Sequence, residues 1–348
     1  MKISTLSSSV TLLLSVSFAS AQEKKPETPV PASAAKPAVV APAPPKPATP
    51  TPPKPAAPPP AKPAAPTPAP TPAPAPKVEV KPAPPKPAAP PPAPKPVALF
   101  PDPNLEAAVR KQVFAKRENK EPLTAEDVAN VAVIDGKGLG IKNLSGLEKC
   151  VQLASITLPN NQITDLKALA GLARLQFLDL GQNQVADITP LATCKALQYL
   201  ELTGNKVTDV SALSGIPALT SLYLAGNQIK DATPLFKLPK VWTLYLEGNP
   251  VSNLAGIGQM KWLSMLSLEG CGVTEITPLE PLTDLQFLFL ENNQITDLAP
   301  LHRMWKKDND GPREWAPYCE ISVLANPLSD PSKKLAEELK AAGARIKF

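Results

Sequence analysis

Seven positions, Asn161, Asn183, Asn205, Asn227, Asn249, Cys271 and Asn293, follow one another at intervals of 22 residues without a slip. The same apolar frame recurs around each, as in Leu175-x-x-Leu178-x-Leu180-x-x-Asn183-x-Val185-x-Asp187-Ile188. A strict period of this length restricts the fold more than any average property of the chain. One such unit cannot bury its own row of leucines, so units must stack and share a continuous core. The expected product is a solenoid with one short strand per coil.

Within a unit, Phe177-Leu178-Asp179-Leu180 alternates outward and inward, which is a strand pattern. The Asn that follows sits in a turn, where its amide can pair backbone groups that the bend would leave open. A second apolar row, Leu169, Leu191, Leu213, Leu235, Ile257, Leu279 and Leu301, marks the return limb, often after a proline (Pro190, Pro234, Pro278, Pro300). The unit leaves little room for a full α-helix there, so 3₁₀ or extended structure is expected. The recurring Asp165, Asp187, Asp209, Asp231 and Asp297 read as turn structure. Together these features predict an α/β solenoid, a leucine-rich repeat arc or right-handed horseshoe. Its concave side is a parallel β-sheet and its convex side is 3₁₀ or extended.

The form N-x-[IV]-x-D-[LIV]-x-P-L resembles the repeats of bacterial internalins, and the same period occurs in a eukaryotic regulatory subunit of protein phosphatase 1. The preceding segment, Phe100-Pro101-Asp102-Pro103-Asn104-Leu105-Glu106-Ala107-Ala108-Val109, is similar to the helical N-terminal caps of internalin-like proteins. The resemblance covers roughly residues 100–330. It implies the solenoid fold and a binding role, with partners that vary across such proteins.

Solenoid ends need caps that hide the apolar cross-section. Helical periodicity through Leu105, Val109, Val113 and Phe114 predicts a helix over 103–119, opened by Asn104 or Asp102. A second short helix is expected at 124–130, where Thr124 and Asp127 form a loose capping box. The degenerate first repeat runs through Val131-x-Val133-Ile134 and Ile141-x-Asn143-Leu144. At the other end a helix over Pro331 to Ala342, stopped by Gly343, precedes a last strand at 345–348. The spacing from Asn293 to the next matching turn, Asn326, is 33 residues, which places an 11-residue insert near 305–318. That insert holds Trp305 and Trp315 beside Asp308-Asn309-Asp310-Gly311. The acidic tetrapeptide fits a simple Asn/Asp/Gly turn better than a calcium loop, whose closing bidentate Glu is missing. The expected organisation is thus a signal peptide at 1–21, a tether at 22–98, a helical cap at 99–130, about nine coils over 131–330 and a C-terminal cap at 331–348.

Met1-Lys2, the apolar run Val10 to Phe18 and the small residues Ala19-Ser20-Ala21 read as a signal peptide cleaved before Gln22. The apolar run is shorter than the roughly 20 residues a membrane span needs, and no lipid-anchoring cysteine follows it. The alternative is an uncleaved anchor. Residues 22–98 hold 31 of the 47 prolines, with ten lysines against three glutamates. Proline fixes φ and removes a donor, so a solvated polyproline-II tether is expected. Spacings such as Pro55-Ala56-Ala57-Pro58 could act as docking ligands, although repetition alone generates them. The basic balance belongs to this tether: of the formal +5, only −3 is left for residues 99–348. Basic patches interleaved with aromatics are missing from the repeats, which argues against a nucleic-acid partner.

Cys150 and Cys194 share one apolar column two coils apart, roughly 10 Å at about 4.8 Å per strand, beyond disulfide reach. Cys271 stands in the Asn column and Cys319 near the last strand of the repeats. Four free, buried thiols are expected. The single histidine, His302, has no nucleophile or metal-spaced partners, and no cofactor is implied.

The informative positions are the outward ones, which the core leaves free to vary. Their columns collect Phe177, Tyr199 and Phe287, then Asp179, Glu201, Tyr223, Tyr245 and Phe289, then Glu247, Glu269 and Glu291. Over residues 177–291 neither Lys nor Arg enters these columns. Aromatics rimmed by carboxylates suit a protein partner with apolar anchors and basic groups. The plainer alternative is that the rings serve only as cross-strand pairs. Trp305 and Trp315 are candidates for an added edge contact. The expectation is a monomeric, non-enzymatic secreted or periplasmic binding protein without a transmembrane segment. The other readings are a carbohydrate-binding or spacer protein of the cell envelope, and last an enzyme.

Overall fold

The computed structural model describes residues 98–348. The expected signal peptide and the Pro-rich segment through residue 97 lie outside the described residues.

Ten three-residue strands pair in parallel, each with the next in sequence, in one sheet. They are β1 (Val133–Asp135), β2 (Ser155–Thr157), β3 (Phe177–Asp179), β4 (Tyr199–Glu201), β5 (Ser221–Tyr223), β6 (Thr243–Tyr245), β7 (Met265–Ser267), β8 (Phe287–Phe289), β9 (Glu320–Ser322) and β10 (Arg345–Lys347). The middle residue of every strand, from Ile134 through Leu178, Leu200, Leu222, Leu244, Leu266 and Leu288 to Ile321 and Ile346, is buried. Partners are in strict register, Leu178 on Leu200 and Leu200 on Leu222. A one-residue slip would turn every core leucine to solvent, so the shared apolar row holds the register. Between strands the chain returns through short 3₁₀ segments such as Thr189–Thr193 and Ser211–Gly215. The predicted solenoid with a 3₁₀ convex side is therefore the fold observed.

Two polar columns explain why the coil turns where it does. In the first, Asp165, Asp187, Asp209, Asp231 and Asp297 each accept a hydrogen bond from the backbone N–H two residues on, at 2.8–2.9 Å. These are Asx turns, and they launch the return limb. In the second, each Asn crosses between coils. Asn205 Oδ1 accepts from Val185 N at 2.9 Å, while its Nδ2 donates to Leu180 O and Leu202 O, each at 2.9 Å. Asn161, Asn183, Asn227, Asn249 and Asn293 repeat the pattern, and Asn326 resumes it after the insert. Cys271 is the one break. Lacking a carbonyl, it leaves Val251 N to bond Asn249 O of its own turn at 2.8 Å, and its thiol reaches back to Leu246 O at 3.2 Å. The residue before each ladder position is left-handed, from Asn160 and Gln182 through Gly204, Gly226, Gly248 and Gly270 to Asn292 and Ala325. At Gly204 a Cβ would press on the Gln182 side-chain amide, which would have to swing aside, so glycine suits both the φ and the space there.

Helix α1 (Pro103–Arg110) opens the described residues' fold with Asp102 as N-cap. One Asp102 oxygen accepts from Asn104 N and Leu105 N, and the other from Lys142 N at 2.7 Å and Asn143 N at 3.1 Å. A single carboxylate thus caps the helix and ties it to the first coil. Burial alone would raise its pKa; the four backbone donors outweigh that and hold it below the usual value. The helix expected to run to 119 stops at Arg110. Gln112 and Val113 donate to carbonyls three residues back, which tightens the chain into a turn, and Phe114 ends 87% exposed. Its apolar spacing therefore does not belong to the core face. Helix α2 (Ala125–Val128) begins with a reciprocal capping box between Thr124 and Asp127.

At the other end, α3 (Ala299–Asn309) occupies the place of a 3₁₀ segment and packs on α4 (Asp330–Ala341), which accounts for the long interval to Asn326. This corrects the expectation for Trp305 and Trp315. Each retains 4% exposure, so neither is free to make an edge contact. The apolar face of α3 carries Leu301, Met304 and Trp305 into the core, where the Trp305 indole donates to Ala316 O at 3.0 Å. Asp308 is buried as a clasp rather than exposed in a turn. Its carboxylate accepts from the backbone of Glu314, Trp315 and Ala316 at 2.8–3.2 Å. His302 faces α4, with Nε2 3.8 Å from Glu338.

Candidate binding face

The outward face of the sheet is built from the first and third residues of each strand and the residue two beyond. All eleven residues singled out in sequence lie on it. Glu269 is exposed and the other ten are half-buried.

The rings do not stand singly. Phe177 and Tyr199 stack with centroids 4.3 Å apart and planes 8° from parallel. Tyr199 and Tyr223 follow at 5.3 Å, then Tyr223 and Tyr245 at 5.2 Å in an edge-to-face arrangement. The ladder crosses diagonally from the first column to the second between β4 and β5. The small Ser221, in register with Tyr199, leaves room for that step. Phe287 and Phe289 form a separate pair at 6.2 Å, divided from the ladder by Met265 and Ser267 on β7. The cross-strand role of these rings is thus real, yet all six remain half-buried rather than fully covered.

The carboxylates run beside this ladder in a low-dielectric setting. Asp179 Oδ1 accepts from Gly181 N at 3.0 Å, and Glu201 Oε1 from Thr203 N at 2.6 Å. Those bonds favour the charged form, but burial prevails and raises both pKa values, with repulsion from Asp135 adding to it at Asp179 and repulsion from Asp179 and Glu247 adding to it at Glu201. Glu247 is raised by burial and by the proximity of Glu269 and Glu291. The phenols of Tyr199, Tyr223 and Tyr245 are also pushed up, first by burial and then by neighbouring acids and phenols. Glu291 keeps one carboxylate oxygen, Oε2, buried without a hydrogen-bond partner among the described residues. The face is therefore acidic at some cost to the folded state, and it presents acceptors that lack donors.

Sequence counting stopped at Glu291, because the insert breaks the 22-residue ruler. The sheet continues: Glu320 pairs with Phe287 and Arg345 with Glu320, while Lys347 lies beside Ser322. Lys137, two residues past β1, acts on Asp179 from the other end. The acidic centre is thus bracketed by basic residues at both ends of the sheet. Counting also missed Trp242 and Trp262, which stand 55% and 64% exposed on the edge of the solenoid just ahead of β6 and β7. The four cysteines are free and buried. No cluster of metal-ligating side chains and no helix able to cross a membrane occur among the described residues.

A parallel sheet of one strand per coil, an asparagine ladder, 3₁₀ return limbs and helical caps define a leucine-rich repeat solenoid. The family described as Leucine Rich repeats (2 copies) matches residues 173–215. No curated protein matches the chain. Among solved structures, an internalin (inlF) from Listeria monocytogenes is 26% identical, with 69% of this chain and 68% of that one covered and a TM-score of 0.59. Internalin C2 (inlC2) of the same organism is also 26% identical, with 72% and 93% covered and a TM-score of 0.51. The chain is an internalin-like leucine-rich repeat protein, and that fold is a typical protein-interaction module.

Proposed function

We propose that this protein is a non-enzymatic interaction module of the cell envelope or secreted space, which captures a protein partner on its concave face. The observation that carries the reading is the acidic aromatic field from Phe177 to Glu291. Asp179, Glu201 and Glu247 are held where burial opposes their charge, and Glu291 Oε2 has no donor among the described residues. Such groups lower stability on their own and are relieved when Lys or Arg of a partner reaches them. The ring edges between them offer apolar anchor sites of the kind that dominate interface energetics. Chain placement outside the cytoplasm rests on the N-terminal pattern, with cleavage between Ala21 and Gln22.

The test is proximity labelling in the native cell with wild-type protein and with the Tyr223→Ala, Tyr245→Ala double variant. Losing two rings of the ladder should cost about 0.5–2 kcal/mol of cross-strand stability and leave the solenoid folded. The partner labelled by the wild type should disappear from the variant. An unchanged set of labelled proteins from a folded variant would remove the concave face from the proposal.

A further inference from the structure

The edge of the solenoid, beside the concave face, carries a second set of aromatic and polar side chains. A cavity of about 410 Å³ opens there, lined by Trp242, Trp262 and Tyr318 together with Asp284, Gln286 and Glu314, and the buried Trp315 closes one side. Its volume lies in the range of small-ligand sites, roughly 300–1,000 Å³. We infer that this cavity binds a neutral glycan, with pyranose rings laid on the Trp242 and Trp262 faces and ring hydroxyls held by the polar side chains between them.

Three observations carry this. The first is ring presentation. Rings of the concave ladder spend their faces on one another, at 4.3–5.3 Å. By contrast, Trp242, Trp262 and Tyr318 lie 55%, 64% and 61% exposed, and none stacks on another ring or under a cation among the described residues. An open indole face, negative at its centre, matches the weakly positive C–H face of a pyranose. Exposed indoles on this scale are otherwise a liability for a monomeric surface.

The second is preorganisation. The Trp242 indole N–H donates to Ser221 Oγ at 2.9 Å, which orients the ring. Its backbone is tied into the sheet, with Ser264 N donating to Trp242 O at 2.9 Å and Gln286 N to Ser264 O at 2.7 Å. Trp242, Ser264 and Gln286 therefore occupy successive coils at about 4.8 Å spacing. The opposite wall comes from the chain after α3, where Tyr318 N bonds Trp315 O at 2.9 Å. That wall exists because the insert interrupts the repeat.

The third is the polar set. A purely cationic ligand would be met by acceptors alone. Here Gln286 and the neighbouring Ser264 and Thr283 hydroxyls can donate as well as accept, while Asp284 and Glu314 accept. Sugar hydroxyls need both. The two carboxylates, with no Lys or Arg in the lining, exclude acidic sugars by repulsion.

The test titrates the full chain with cellohexaose, chitohexaose and mannohexaose, following tryptophan fluorescence and heat. Oligogalacturonate, choline and a Pro/Lys peptide are run in parallel. At least one neutral hexasaccharide should bind, and Trp262→Ala should weaken it at least tenfold with no change in thermal melting. Gln286→Ala should weaken the same sugar, whereas the Tyr223→Ala, Tyr245→Ala variant should bind it normally. That last arm separates this site from the concave one, so either can fail alone. Binding of none of the neutral sugars at millimolar concentration overturns the inference. So does equal binding by Trp262→Ala, or a preference for choline, the peptide or the acidic sugar.

Discussion

Replacing Asn227 by Ala would test whether the asparagine ladder holds the coils that present the binding face. Asn227 is 6% exposed, and its side chain makes two kinds of contact. Its Oδ1 accepts from Val207 N at 2.9 Å, and its Nδ2 donates to Leu202 O and Leu224 O at 2.9 Å. The carbonyls are shared: Leu202 O keeps Asn205 and Leu224 O keeps Asn249 when Asn227 is cut back. The Val207 N–H has no such reserve. Stranding one buried donor costs about 1–3 kcal/mol, and weakening two carbonyls brings the total to roughly 2–4 kcal/mol. In a folded unit of this size, at about 2–4 °C per kcal/mol, Tm should fall by roughly 4–16 °C. Thermal and urea melts followed by circular dichroism measure it. Cys271→Ala is the internal control, because Val251 N already bonds Asn249 O and loses nothing there. Its melt should shift clearly less. A loss under about 0.5 kcal/mol for Asn227→Ala, or equal losses for the two variants, would refute the argument.

Two further outcomes follow from the electrostatics. Glu201 and Glu247 have pKa values raised in the fold, so the folded state binds more protons than the unfolded one across that interval. Stability should therefore fall as pH rises from their ordinary value near 4.5 through the folded values. Glu201→Gln with Glu247→Gln should raise Tm at neutral pH and give no gain at pH values below that window, as melts at several pH values will show. The thiols should resist alkylation in the native state, since burial pushes Cys150 and Cys319 up to about 12 and Cys271 to about 11. Mass spectrometry after iodoacetamide should find them unmodified until denaturant is added; rapid native labelling would contradict that burial.

The repeat was legible because its geometry is one-dimensional. A strand period of two nested in a coil period of 22 places Tyr199, Tyr223, Glu201 and Glu247 on one face by counting alone, and the sheet register keeps them there. The misreadings lie where that counting lapses. Trp305 and Trp315 sit in the insert, where helix packing and not the repeat decides what is buried. Val113 and Phe114 share helical spacing with the cap, but a tightened turn after Arg110 takes Phe114 out to solvent. Trp242 and Trp262 were within reach of the ruler. Trp242 falls in a column of Gln176, Gln198, Thr220, Ser264 and Gln286, and Trp262 in one with Arg174, Ala196, Ala218, Lys240 and Asp284. Large aromatics in columns that elsewhere hold polar or small residues mark a surface feature.

The chain's own order of residues determined the solenoid, the register of its strands, the burial of the thiols and the membership of the concave columns. Each depends on contacts between neighbouring coils, and a strict period makes those contacts readable without coordinates. Only the tertiary structure decided which rings stack and which stay open. It also paired the edge tryptophans with Tyr318, and it buried Trp305 while exposing Trp262. Those outcomes rest on how side chains from non-repeating segments fold back over the stack, and no period encodes that.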